Sequence, residues 1–217
     1  MTNAGRTVTA ALGATLALTA LASPASAATS AVPDNPPPGS VTVTVERING
    51  TGCPAGTVTA TNDVDTFTVG YFYHRAVAGG NYPPAEVRAN CQVELKIVHP
   101  PEFTYGIIGG DHQGYAVLER GASGLLKTRV AYPGVPQGKG GDFTIQGPFA
   151  DEWEHNDGGG LPDVISKPCN RDGNITVSTE LRIDVGTSDK SKVSFMEMSS
   201  LSGDRGSIYR LAWKRCP

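Results

Sequence analysis

Past residue 22 the chain has no stretch long and apolar enough to cross a membrane. It also lacks clustered basic residues and closely spaced cysteines. Each absence removes a class of function. A membrane-spanning helix needs about 20 apolar residues in a row. Nucleic-acid binding needs grouped Lys and Arg, whereas 18 basic residues here face 21 acidic ones for a net charge of −3, so no nucleic-acid partner is expected. Structural zinc sites use close Cys pairs, and no two of the four cysteines lie within thirty residues of each other. There is no Gly-x-Ser-x-Gly elbow, no His-x-x-x-His pair and no phosphate-cradling glycine loop. No catalytic residue, metal ligand or cofactor site is therefore assigned. Aromatic residues make up only 7 % of the chain against 27 glycines, so large side chains are scarce for a core.

What is present begins with an export signal. Arg6 supplies a positive start, Thr7 to Ala22 is an apolar run, and Ala25-Ser26-Ala27 follows Pro24 in a small-x-small cleavage pattern. Residues 1–27 read as a secretory signal peptide. One arginine does not make a twin-arginine signal, and no Cys stands at the cleavage point for a lipid anchor. The expectation is a released extracellular protein with no membrane partner after cleavage. Removal of 1–27 leaves 190 residues with 17 basic against 21 acidic, a net charge of −4. Residues 28–40, with Pro33, Pro36, Pro37, Pro38 and Gly39, form a Pro-rich linker that cannot enter a sheet interior. One domain is expected over 41–217.

In that domain the hydrophobic period is two. Val41, Val43 and Val45 alternate with Thr42, Thr44 and Glu46. Cys91, Val93, Leu95 and Ile97 alternate with Gln92, Glu94 and Lys96. Ile175, Val177, Leu181, Ile183 and Val185 alternate with Thr176, Ser178, Glu180, Arg182 and Asp184, and Phe67, Val69, Tyr71 and Tyr73 share one side of another strand. Strict alternation marks strands with one buried and one wet face, the habit of antiparallel sheets. Further strands are predicted at 57–61, 103–108, 114–119, 125–132, 142–147, 193–198 and 207–213. Turn signals at Asn49-Gly50, Asp157-Gly158 and Asp172-Gly173 punctuate the run, and no segment has the period of an amphipathic helix. The fold class is all-β: an antiparallel β-sandwich or jelly-roll-like domain. An even count of cysteines, Cys53, Cys91, Cys169 and Cys216, in an exported chain reads as two disulfides, with three connectivities open.

Five segments together resemble a known family. They are Asn49-Gly50-Thr51-Gly52-Cys53-Pro54-Ala55-Gly56-Thr57; Arg88-Ala89-Asn90-Cys91, opening a strand that ends at His99-Pro100; Gly114-Tyr115-Ala116; Gln146-Gly147-Pro148; and Trp213-Lys214-Arg215-Cys216. Over 41–217 the chain resembles the family called domain of unknown function 4360. The resemblance implies an exported β-rich domain whose first cysteine pairs with the second and third with the fourth. It implies no reaction. Such crosslinks close loops of 38 and 47 residues, and reduction is expected to unfold the domain.

Several constellations could carry chemistry. The acidic run from Asp151 to Asp157 is expected as a solvated loop between strands. Glu152, Glu154, Asp157 and Asp163 could also offer oxygens to Ca²⁺, although the spacing departs from an EF-hand. His74, His99, His112 and His155 are scattered and read as exposed turn histidines, with Asp111-His112 in a glycine-flanked turn. A Ser/His/Asp triad is set by geometry rather than by sequence position, and the scattered histidines leave it as a question for the fold. Among Tyr71, Phe72, Tyr73, Tyr82 and Tyr105, the shared face with Phe67 assigns Tyr71 and Tyr73 to the core; exposed, these rings could stack on sugars. Trp213 is expected to pack over a disulfide. Asn49 and Asn174 stand in glycosylation sequons. The reading that follows is a secreted, non-catalytic binding module with extracellular carbohydrate as a fitting partner. The alternatives are an extracellular hydrolase of polymers and a structural component of an envelope or matrix.

Overall fold

The computed structural model describes residues 35–133, 135–158, 164, 166–198 and 206–217. The signal peptide 1–27 and the first part of the Pro-rich linker lie outside these residues. Within them the chain forms β1 (Thr42–Asn49), β2 (Val58–Asn62), β3 (Thr66–Tyr71), β4 (Arg75–Ala78), a short 3₁₀ turn (Pro84–Val87), β5 (Arg88–Val98), β6 (Phe103–Leu118), β7 (Ser123–Tyr132), β8 (Val135–Lys139), β9 (Asp142–Gln146), β10 (Phe149–Asn156), β11 (Ile175–Asp184), β12 (Ser194–Glu197) and β13 (Gly206–Arg215).

These strands make two antiparallel sheets packed as a sandwich. One has six strands in the order β1-β5-β11-β7-β8, with β9 also paired to β7. The other has seven in the order β2-β3-β13-β6-β12-β4, with β10 also paired to β6. The inward rows of both sheets meet in one core. Leu95, Leu126, Val177 and Leu181 come from the six-stranded sheet. Phe67, Tyr105, Met196 and Tyr209 come from the seven-stranded one. The Phe67 and Tyr209 rings stack at 4.9 Å across β3 and β13. Period-two alternation therefore places the core as expected, since a pleated strand buries every second side chain.

Two predicted strands, 103–108 and 114–119, are one sixteen-residue strand. The glycines between them do not turn the chain; they admit close neighbours. A Cβ on Gly109 would lie 2.3 Å from Gly158 Cα, and one on Gly114 would lie 1.9 Å from the Glu197 carbonyl oxygen. His112 consequently sits mid-strand and buried, not in an exposed turn, and His74 is buried as well. The acidic run is likewise a strand, β10, rather than a loop. Tyr71 is buried as predicted. Tyr73 is not: β3 ends at Tyr71, and Phe72 and Tyr73 stand 54 % and 59 % exposed in the turn before β4. Trp213 packs edge-on against His99, Phe103 and Tyr105 and donates its indole N–H to the Val64 carbonyl.

Both disulfides are formed: Cys53 with Cys91, Cα atoms 5.4 Å apart, and Cys169 with Cys216, 5.8 Å apart. This is the pairing the family resemblance implies. Cys53 and Cys91 lie in the core cluster, whereas Cys169 and Cys216 are only half-buried at the rim.

Candidate functional site

A buried polar chain links the two sheets. His112 on β6 holds Ser207 Oγ of β13 at 2.8 Å through Nδ1 and Asp157 Oδ2 at 2.9 Å through Nε2. Thr128 of β7, in the opposite sheet, donates to the same Asp157 oxygen at 2.6 Å, and the Gly110 amide donates to Oδ1 at 2.6 Å. Burial disfavours the Asp157 charge. The donors from His112, Thr128 and Gly110 outweigh burial and hold the carboxyl pKa down at about 2. An ionised carboxylate can only accept, so the His112 Nε2 carries a hydrogen. In the neutral imidazole Nδ1 then accepts from the Ser207 hydroxyl.

Hydroxyl, imidazole and carboxylate are the parts of a nucleophilic triad. Their surroundings remove that chemistry. Ser207 is 0 % exposed, and the cavity beside Asp157, lined by Gly109, Gly110, Val130 and Tyr209 among others, has a volume of about 10 Å³. That is room for about one water and for no substrate carbonyl. The chain of hydrogen bonds acts as an inter-sheet tie. His155 flanks it, stacked on Phe143 at 4.6 Å; its pKa is lowered by burial and by His112, with Asp157 opposing.

The structure splits the acidic residues named from sequence. Glu152 and Glu154 face solvent from β10, while Asp157 turns inward to the tie. Asp163 lies outside the described residues. Among the described residues no group of three or more His, Cys, Asp or Glu side chains could hold a metal ion.

The outer face of the seven-stranded sheet offers a different arrangement, one that sequence reasoning missed. Tyr115 on β6 is 37 % exposed. Its cross-strand partners are Glu152 on β10 and Glu197 on β12, and Glu197 in turn pairs with Arg75 on β4. The resulting row runs Glu152, Tyr115, Glu197, Arg75 across four strands, spanning about 14 Å at sheet spacing. Phe195 lies beside it, 6.2 Å ring-to-ring from Tyr115 and under the Arg75 guanidinium at 4.3 Å. Arg75 Nε is 4.0 Å from Glu197.

The triplet Gly114-Tyr115-Ala116 builds this row. Ala116 is fully buried, and the space of a Gly114 side chain is taken by the Trp153 ring and the Glu197 carbonyl, so Tyr115 alone projects outward. The triplet was visible in the sequence; its strand partners were not. Of the aromatic residues named from sequence, Tyr71 and Tyr105 are buried, while Phe72, Tyr73 and Tyr82 are exposed in loops around β4.

Comparison with known proteins shows a family and names no reaction. A family model described as a domain of unknown function, 4360, matches residues 39–216. An uncharacterized secreted protein of the fungus Arthroderma benhamiae is 26 % identical over 191 residues, covering 85 % of this chain and 77 % of the fungal one. No solved structure matches the chain. The chain belongs to the domain of unknown function 4360 family.

Proposed function

We propose that this member of the domain of unknown function 4360 family is a secreted, non-catalytic module that holds an extracellular carbohydrate chain on the outer face of its seven-stranded sheet. The observation that carries this reading is the Tyr115 row: an exposed ring between two carboxylates, fixed on rigid strands. Sugar rings stack their C–H faces on aromatic planes, and carboxylates accept hydrogen bonds from the hydroxyls at the ring edge. Strand-borne groups hold their geometry better than loop-borne ones. Secretion is supported by two disulfides, which persist in oxidising compartments, and by the secreted fungal relative. The hydrolase alternative has no support from Ser207, which no substrate can reach.

The test is binding of the purified oxidised protein to a polysaccharide array, with and without calcium. Tyr115→Ala should weaken retention on the bound glycan about tenfold, near 1.4 kcal/mol. Replacing Phe72 and Tyr73 by alanine should change it little. Unchanged binding in Tyr115→Ala would overturn the site. Release of new reducing ends that depends on His112 would overturn the non-catalytic reading.

A further inference from the structure

A concavity lies elsewhere, at the end of the sandwich where β5 finishes. It has a volume of about 540 Å³. Its walls include Lys96 at the end of β5, Phe103 at the start of β6, and Lys167, Arg171 and Asp172 from the loop leading into β11. Three cationic residues thus line the cavity with one acidic residue, in a chain whose overall charge is −3. A neighbouring acid, Glu94, is already engaged by Asn174 at 2.8 Å and Arg47 at 3.5 Å. The Phe103 wall is itself backed by the Arg215 guanidinium, stacked over its ring at 4.8 Å.

The cavity is braced before any ligand arrives. The Lys167 amide donates to the Tyr105 carbonyl at 2.8 Å, and its own carbonyl accepts from Thr104 Oγ1 at 2.6 Å. Lys167 is therefore fixed at both backbone groups, with only 8 % of the residue exposed. Two residues on, Cys169 is bonded to Cys216, and the Cys216 amide donates to the Glu102 carbonyl at 2.9 Å. The next residue, Asn170, adopts φ 59°, a left-handed conformation that non-glycine residues rarely take. Preorganisation of this kind removes ordering costs from binding.

We infer that this cavity is an anion-binding site for the charged unit of an acidic polysaccharide. The recognised chemistry is a sugar-borne oxyanion, whether uronate carboxylate or sulfate ester. Lys96, Lys167 and Arg171 meet the anion, and Phe103 supplies an apolar wall for the ring. Charge complementarity selects this occupant: the cations outnumber the acid, and charge-assisted hydrogen bonds to oxyanions are the strong ones. The volume fits a sugar unit rather than a bare inorganic ion, and falls within the range of small-molecule sites. The site is separate from the Tyr115 row, and the inference stands or falls independently of it.

Calorimetric titration of the oxidised protein with oligo-uronides, sulfated dextran oligosaccharides and uncharged dextran of equal length tests it. A charged oligosaccharide should bind, and the choice between the two arms identifies the oxyanion. Uncharged dextran should give no Lys167-dependent binding. Lys167→Met should weaken the charged ligand about tenfold or more, and Arg171→Gln and Lys96→Gln, both at exposed positions, should each weaken it several-fold. Raising the salt from low to high should weaken it as well. Tyr115→Ala should leave this binding intact. Equal affinity for charged and uncharged chains, indifference to Arg171→Gln and Lys96→Gln, or no binding of either charged arm would overturn the inference.

Discussion

At the Arg88 end of β5, the Cys53–Cys91 bond lies inside the core, with Gly52 pressed against the buried ring of His74. At the Val98 end, the Cys169–Cys216 bond lies at the rim and braces a loop around an open cavity. The covalent chemistry is the same, and the loops closed are of similar length, 38 and 47 residues. Loop-closure entropy differs between them by only about 0.2 kcal/mol. Any larger difference in what the two bonds do must come from their surroundings. One end is sealed, and its bond is part of the packing. The other is open, and its bond positions charged groups.

The sharpest way to break this comparison is to remove each bond in turn. Cys53→Ser with Cys91→Ser loses the crosslink and leaves two hydroxyls in the core. Cys169→Ser with Cys216→Ser loses a crosslink of equal entropic weight but places its hydroxyls near water. Each should cost on the order of 3–4 kcal/mol through the crosslink. The core pair should cost about 2 kcal/mol more for desolvated hydroxyls. Denaturant unfolding measures both. Equal losses would mean that the burial difference has no energetic weight.

Next in size is an acid effect centred on the sealed end. Burial pushes the His74 pKa down to about 4 from 6.5, against a small opposing contribution from the Gly52 backbone. Thr179 Oγ1 from the facing sheet lies 2.9 Å from its Nε2. The native state therefore binds fewer protons than the unfolded chain. Stability from this group is complete above about pH 6.5, falls as the pH drops through the window down to about 4, and levels off below. The total is about 3 kcal/mol. Asp157 adds a separate acid loss below pH 3.8, down to about 2, because its folded pKa is depressed. In His74→Phe the upper step should shrink by about 3 kcal/mol to what His155, also lowered by burial, contributes, and the lower step should remain. Melting curves between pH 7 and pH 2 read both steps; an upper step of undiminished size would locate the effect in another group.

The smallest effect probes the packing that seals this end. A Cβ on Gly52 would stand 2.2 Å from His74 Nδ1 and 3.0 Å from Ala89 Cβ. Gly52→Ala should cost about 2 kcal/mol through overpacking. It should leave the anion affinity of the far cavity unchanged in calorimetry. A coupled loss of affinity would show that the two ends of β5 are not independent.

Much of this frame was legible in the sequence because pleated strands announce their buried face. The alternation from Cys91 to Ile97 and from Ile175 to Val185 predicted β5 and β11 and their inward rows. What misled was glycine. Gly109, Gly110 and Gly114 look like turn residues, but they sit mid-strand, where neighbouring chain or rings fill the side-chain space. Reading them as a break cut β6 in two and moved His112 to the surface. The candidate sites were less legible for a different reason. Glu152, Tyr115, Glu197 and Arg75 come from four strands far apart in the chain, and only sheet register puts them in one row. Ser207 and Asp157 likewise meet only through His112. Alternation reveals which face a residue takes, not which strand lies beside it.

Strand β13 sits in the interior of its sheet, bonded to β3 on one edge and to β6 on the other, where residue 105 faces residue 213. In chain order it follows every other described strand of that sheet. Until it arrives, β3 and β6 each present a bare row of amides and carbonyls, the kind of edge that recruits foreign strands. The seven-stranded sheet thus cannot close until β13 joins it, and its two halves are held together by a strand contributed late in the chain.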